Sequence, residues 1–297
     1  MATPPSFTSV DHLVIAVKDL GAAEAAYAAL LGLTPTWRGS HPTLGTRNVI
    51  FGLTNCYLEL LASNDDADAP LAVFLQHYLS EKPERLLAVA LGTDDLAAAA
   101  RALDAAGLSP GEITPGEAVA ENGTTRRWRS VTLAPDRMRG VATLVIEHES
   151  RAAIPRAAAP PDDPSAAAAV DHVVIFSDDI EAGLHLWRDV LGIPERWRRE
   201  FPDRGTVNVG LRLGGVTLEL VAPLGKAAGE RGEHLWGVAY AVADCDAAVG
   251  RARANGIDVT DTRAGLAPGT RIATVKWKDR LPTLLLQHTR PRRPPEQ

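Results

Sequence analysis

Apolar residues fall into short runs along this chain, and the first run sets the pattern. In VDHLVIAV (10–17), Leu13, Ile15 and Val17 alternate with His12, Val14 and Ala16. Both sets are largely apolar, as in a strand covered on both faces, yet one covered face carries a histidine. The helical run AAEAAYAALLGL follows, with Gly32 where a C-terminal cap belongs. A short strand around Thr36–Arg38, the loop RGSHPTLGT and the strands RNVIFGL and CYLELLA complete a β-α-β-β-β order. The order recurs with RLLAVALGT as strand, DDLAAAARALDAAGL as helix, and RRWRSVTLA and GVATLVIEHE as closing strands.

The pattern then returns as a repeat. VDHLVIAVKDL comes back as VDHVVIFSDDI, LGLTPTWR as LGIPERWR, and YLELLA as TLELVA. The offset is 160 residues throughout, from His12 to His172, Trp37 to Trp197, Asn48 to Asn208 and Glu59 to Glu219. Internal repetition of this kind fixes the architecture. The fold class is α+β, with four βαβββ units paired into two tandem modules, each a curved mixed sheet with helices outside. The boundaries read as a lead at 1–9, a first module at 10–150, a Pro/Ala-rich linker at 151–169, a second module at 170–290 and a tail at 291–297.

Composition narrows the function classes. A net charge of −6 gives no electrostatic footprint for nucleic acid or an anionic membrane. Two cysteines are too few for a disulfide framework, and Cys56 in its apolar strand reads as packing. With neither a signal peptide nor a membrane span, the expectation is a cytoplasmic protein acting on a small molecule, as a monomer (an internal pseudo-dimer) or a homodimer.

Glu59 and Glu219 are the residues that ask for chemistry. Each carboxylate sits in an apolar strand, where it is costly unless hydrogen-bonded, paired or bound to a cation. Glu147 occupies a comparable place in LVIEHE. A histidine converging with two carboxylates suits a divalent ion such as Zn, Ni, Mn or Fe; without one, paired carboxylates make an acid/base pair. Arg38 and Arg198 suit either a surface cation beside tryptophan or an anion clamp. Asn48 suits a turn cap, and Tyr57 shares the strand face of Glu59. His41 has no counterpart, since Phe201 stands at its repeat position, which marks it for substrate contact.

DH opening a strand, a glycine-ended helix and LEL in the fourth strand resemble the vicinal oxygen chelate superfamily, which includes glyoxalase I. SHPTLGTRN ahead of YLELLA is similar to glyoxalase-like domains with a His-Pro loop followed by Gly-Thr-x-Asn. The resemblance covers nearly the whole chain outside lead, linker and tail. It implies metal ligands at His12, Glu59 and Glu147, and in the second module at His172, Glu219 and Gln287. Ala88 and Gly237 stand where a fifth-strand ligand is commonly histidine, which disfavours an extradiol dioxygenase. The implied function is a metal-dependent isomerase or lyase acting on a small oxygen-rich substrate, with Glu59 and Glu147 catalytic and Arg38, His41, Asn48 and Tyr57 at the substrate. The alternative is a metal-free binding or resistance protein whose cup holds an apolar ligand.

Overall fold

The computed structural model describes residues 4–64, 68–81, 84–225, 232–278 and 280–289. The first module runs β1 (Ser9–Val17), α1 (Leu20–Leu31), β2 (Trp37–His41), β3 (Thr46–Gly52), β4 (Tyr57–Ser63), α2 (Pro70–Tyr78), β5 (Glu84–Gly92), α3 (Leu96–Ala105), β6 (Thr114–Ala120), β7 (Thr125–Leu133) and β8 (Thr143–His148). Its strands close into a barrel in the order β1-β4-β3-β2-β6-β7-β8-β5. The seam is short: β2 meets β6 only through Gly39–Ala120 and Ser40–Val119.

The second module runs β9 (Ala167–Ser177), α4 (Ile180–Leu184), β10 (Glu195–Phe201), β11 (Thr206–Leu213), β12 (Val216–Pro223), β13 (Glu233–Val242), α5 (Cys245–Ala254), β14 (Arg263–Ala264), β15 (Thr270–Val275) and β16 (Thr283–His288). α4 passes into a π-helical turn at His185–Val190. The strand order matches the first module, but β14 is two residues long and the sheet ends there without returning to β10. The second cup therefore stays open. Trp197 is 39% exposed where Trp37 is 9% exposed.

Local chemistry explains the elements. Asp19 caps α1 by accepting from the Ala22 amide, and Gly32 ends the helix at φ 68°. β1 is buried along its whole length, because its odd positions pack under the helices and its even positions face the barrel interior. α2 is an element that the apolar pattern of 70–78 does not announce. It buries only Ala72 and Leu75 and lies beside β4 at the barrel mouth.

One apolar cluster, including Leu13, Tyr27, Trp187 and Tyr240, extends through both modules. Two buried carboxylates straddle the junction in mirrored fashion. Glu84 accepts from Tyr27 at 2.8 Å within its module and from Arg280 of the other at 2.8 Å. Glu233 accepts from Trp187 at 2.8 Å and from Arg139 of the first module at 3.0 Å. Among the described residues no helix is long and apolar enough to cross a membrane.

Candidate active site in the first barrel

β1 and β4 run parallel with Val14 opposite Glu59, so His12 and Glu59 emerge on the same inner face, two residues apart in register. β3 pairs with β4 so that Ile50 faces Glu59, which brings Asn48 diagonally onto the carboxylate. The Asn48 amide donates to Glu59 Oε1 at 2.6 Å, and Trp37 Nε1 donates to Asn48 Oδ1 at 3.1 Å. Asn48 is thus a carboxylate-orienting residue rather than a turn cap. It is fixed as to which amide atom points where, because indole can only donate.

Two histidines flank Glu59. His12 Nε2 lies 3.6 Å from Oε2, and His41 Nε2 lies 3.7 Å from Oε1. The other nitrogen of each is engaged: His12 Nδ1 with Asp11 at 2.8 Å, His41 Nδ1 with Thr46 Oγ1 at 2.9 Å. An ionised Asp11 can only accept, so His12 carries a proton on Nδ1 and turns Nε2 toward Glu59. Asn48 Nδ2, which can only donate, stands 3.4 Å from His41 Nε2 and assigns His41 the same tautomer. Burial holds the His41 pKa below its ordinary value, against the pull of Glu59, so this imidazole is neutral at neutral pH.

Asp11 is the residue that sequence reasoning passed over. It is 2% exposed and accepts from both His12 and His148, the latter at 3.2 Å. Burial pushes its pKa upward, but hydrogen bonds from His12 and His148 outweigh burial and hold the carboxyl well below the usual carboxylate range. The signal available was the Asp-His pair repeated at 171–172. Tyr57 stacks on His12 with ring centroids 4.5 Å apart, and burial, reinforced by Asp11, raises its phenol well above the usual value.

The remaining sequence candidates lie elsewhere. Glu147 does not join His12 and Glu59. It accepts from Arg129 at 2.7 Å and from the Leu96 amide at the start of α3 at 3.1 Å. A free helix N-terminal N–H satisfies a carboxylate on the outer, helix-covered face of the sheet. Facing is therefore opposite to the expectation, with His148 rather than Glu147 reaching the Asp11 cluster. Gln287 likewise serves the helix side, accepting from the Cys245 amide at 3.3 Å and donating to Ala243 at 2.8 Å. Arg38 is outside the barrel, held by Glu24 at 2.6 Å, and Arg198 is held by Glu181 at 2.8 Å. Neither is an anion clamp in the cup.

The ion implied by the resemblance needs three protein donors around one point. Among the described residues no three His, Cys, Asp or Glu side chains are so arranged. His12 and His41 approach different oxygens of Glu59, one of which already accepts from Asn48, and Glu147 is turned away. The donor set does not fit a resident divalent ion.

The inner face opens on a cavity of about 420 Å³. His12, His41, Tyr57, Glu59 and Arg126 line it together with Leu61, Phe74, Leu87 and Ile146. The second module repeats the framework: Asn208 donates to Glu219 at 2.7 Å, His172 Nε2 lies 3.4 Å from Glu219, and Asp171 accepts from His172 and His288. Phe201 replaces His41 in it.

Residues 10–167 match the family model described as a glyoxalase-like domain, and residues 171–274 match that of the glyoxalase/bleomycin resistance protein/dioxygenase superfamily. No match was found among curated proteins. Of solved structures, the chain is similar to a triple mutant of 4-hydroxymandelate synthase from Streptomyces coelicolor, with a TM-score of 0.64 at 15% identity, covering 98% of this chain and 94% of that one. It is also similar to a hypothetical protein from Staphylococcus aureus, with a TM-score of 0.63 at 11% identity, covering 93% and 98%. At such identities the likeness speaks for fold alone. Since the first match spans more than half of the chain, this protein belongs to the glyoxalase-like domain family of the vicinal oxygen chelate superfamily.

Proposed function

We propose that the first barrel belongs to an enzyme that moves a proton on a small, oxygen-rich substrate, an isomerase or lyase. One observation carries the reading: Glu59 is buried in an open-ended cavity, held by Asn48 and flanked by the Nε2 atoms of two imidazoles, with no Lys or Arg paired to it among the described residues. A carboxylate needed only for structure would be better served by a cation or by backbone donors. Placed here, it removes a proton from a carbon beside a carbonyl and itself becomes the carboxylic acid. In an isomerase the enediolate so formed takes that proton back at the neighbouring carbon while the hydroxyl proton passes from one oxygen to the other; in a lyase it expels its β-substituent. His12 and His41 present Nε2 to the same space and can accept or return that proton. Asp11 stabilises the imidazolium whenever His12 holds it.

The test is solvent exchange. The protein in D₂O is given a panel of 2-hydroxy aldehydes, ketones and acids, and loss of the activated C–H signal is followed by proton NMR. Exchange is expected with at least one class, abolished by Glu59→Gln. Ligands that bind without exchange anywhere in the panel would favour the second reading, a small-molecule binding protein. The apolar lining by Leu61, Phe74, Leu87 and Ile146 supports that reading.

A further inference from the structure

Arg126 is 6% exposed and lines the cavity from β7, yet its Nε and Nη1 have no hydrogen-bond partner. No carboxylate among the described residues forms an ion pair with it. Its neighbours in sequence behave differently, the exposed Arg127 bonding Glu117 at 2.8 Å and the exposed Arg129 bonding Glu147 at 2.7 Å. What surrounds the buried guanidinium is a cage of rings. Its Cζ stands 4.4 Å from the Trp37 ring centroid, 5.9 Å from Tyr57 and 6.0 Å from Trp128. Ring faces offset part of the charge, and the Tyr57 hydroxyl is a hydrogen-bond partner of the guanidinium, but Nε and Nη1 are left without an acceptor.

The cage is built, not incidental. Trp128 lies over Gly116, where any Cβ would come within 2.2 Å of the indole, and Trp37 lies over Gly39, where a Cβ would come within 2.6 Å. The second module shows that the scaffold does without it. His148 pairs with Trp128 as His288 pairs with Thr270, so Thr270 stands in the place of Trp128 and Pro268 in that of Arg126. That module keeps the Asp171–His172–Glu219–Asn208 framework with no arginine in the cage position.

We propose that Arg126 is the anion subsite of the first barrel and that its ligand is a monocarboxylate with an apolar body. The carboxylate would take up the unpaired N–H donors, and the apolar body would lie along Leu61, Leu87 and Ile146. A single caged cation in a mostly apolar cavity matches one carboxylate. A phosphate dianion would call for more donors than this pocket offers. The inference rests on the proton-transfer reading for its account of why the ligand is there, since it places the substrate's acid group in the cavity that Glu59 also lines.

The experiment measures binding by calorimetry and thermal shift, using straight-chain and aryl carboxylates from acetate to octanoate, their primary amides, and alkyl phosphates of matched length. Wild-type protein is expected to bind a carboxylate at least about tenfold more tightly than its amide and its phosphate. Arg126→Met keeps the side-chain length against Trp37 and is expected to melt no lower than wild type without ligand, because it removes an unpaired buried charge. It is expected to lose that preference, and Arg126→Lys to recover part of it. Equal binding of carboxylate and amide, tighter binding of phosphate, no binding by any carboxylate, or an unaltered preference in Arg126→Met would overturn the assignment. Glu59→Gln separates the two proposals: carboxylate binding retained by it, with no solvent exchange in wild type, would leave the anion subsite standing and end the proton-transfer reading.

Discussion

Replacing Asp11 with asparagine tests the cluster that orients His12. Asp11 is 2% exposed and accepts from His12 at 2.8 Å and His148 at 3.2 Å, with Arg156 at 3.4 Å. Asparagine preserves the shape and one acceptor but removes the charge and turns an N–H₂ toward groups that are themselves donors. Hydrogen bonds to a charged group contribute roughly 1.5–3 kcal/mol each, and about half of that survives when the acceptor is neutral. Two such bonds weakened, together with an uncompensated Arg156, give a loss of about 3 kcal/mol at neutral pH. With an m-value of about 3 kcal/mol per molar, the urea midpoint should fall by roughly 1 M.

The pH dependence supplies an independent check. Because the folded-state pKa of Asp11 is depressed, its contribution is complete above the unfolded value near 3.9 and fades as pH falls below it, by about 1.4 kcal/mol per pH unit. The gap between wild type and Asp11→Asn should therefore be flat from pH 7 to about pH 4 and shrink below. Urea titrations followed by tryptophan fluorescence at a series of pH values measure it. A midpoint shift under about 0.2 M, or a gap that stays constant through acid, would refute the account.

Three further outcomes follow from the geometry. Glu219→Gln in the open cup should leave at least about half of the solvent-exchange activity, whereas Glu59→Gln removes it; loss with the former alone would move the chemistry to the second module. Burial lowers the His41 pKa in the folded state, so folding excludes a proton that the unfolded chain binds, and stability contributed at neutral pH is lost as pH drops through about 6.5. His41→Phe, the residue found at the repeat position, should lose less stability than wild type between pH 7.5 and 5.5, as read from urea midpoints. Gly116→Ala drives a Cβ to within 2.2 Å of the Trp128 indole and should cost about 1–3 kcal/mol in thermal or urea unfolding, while Gly123→Ala, with nothing within 4 Å but a φ of 82°, reports backbone strain alone.

The repeat made most of the framework legible from residues alone. A constant offset of 160 places His12 and His172 opposite Tyr57 and Thr217, and both glutamates opposite valines, as the sheets do. What stayed hidden depends on closure and irregularity. Asp11 should face away from His12 by simple alternation, but the register shift between Val10 and His12 against β5 breaks the alternation at that point. Glu147 failed for a related reason: chain position says which strand a residue is on, while its facing is set by the pairing of Arg129 with Glu147 and by α3 lying over it. Arg126 sits in RRWRSVTLA, which reads as a closing strand and gives its arginines no role. A clue was present, because Arg126, Trp128, Ser130 and Thr132 share one alternation face, and all four line the cavity. α2 buries too little apolar surface to show a helical period.

The mirrored contacts of Glu84 with Arg280 and of Glu233 with Arg139 have a genetic meaning as well as an energetic one. In a two-fold assembly of identical chains every substitution is written twice, so a site cannot be dismantled in one copy and kept in the other. Here the two halves are encoded separately, and that obligation is lifted wherever the halves do not touch. His41 can face Phe201, and Arg126 can face Pro268, without disturbing the partner half. At the junction a different constraint holds, since each carboxylate is enclosed and draws its cation from the other half. A change at either end of such a pair must be answered in the other half, whereas the cups are free to diverge.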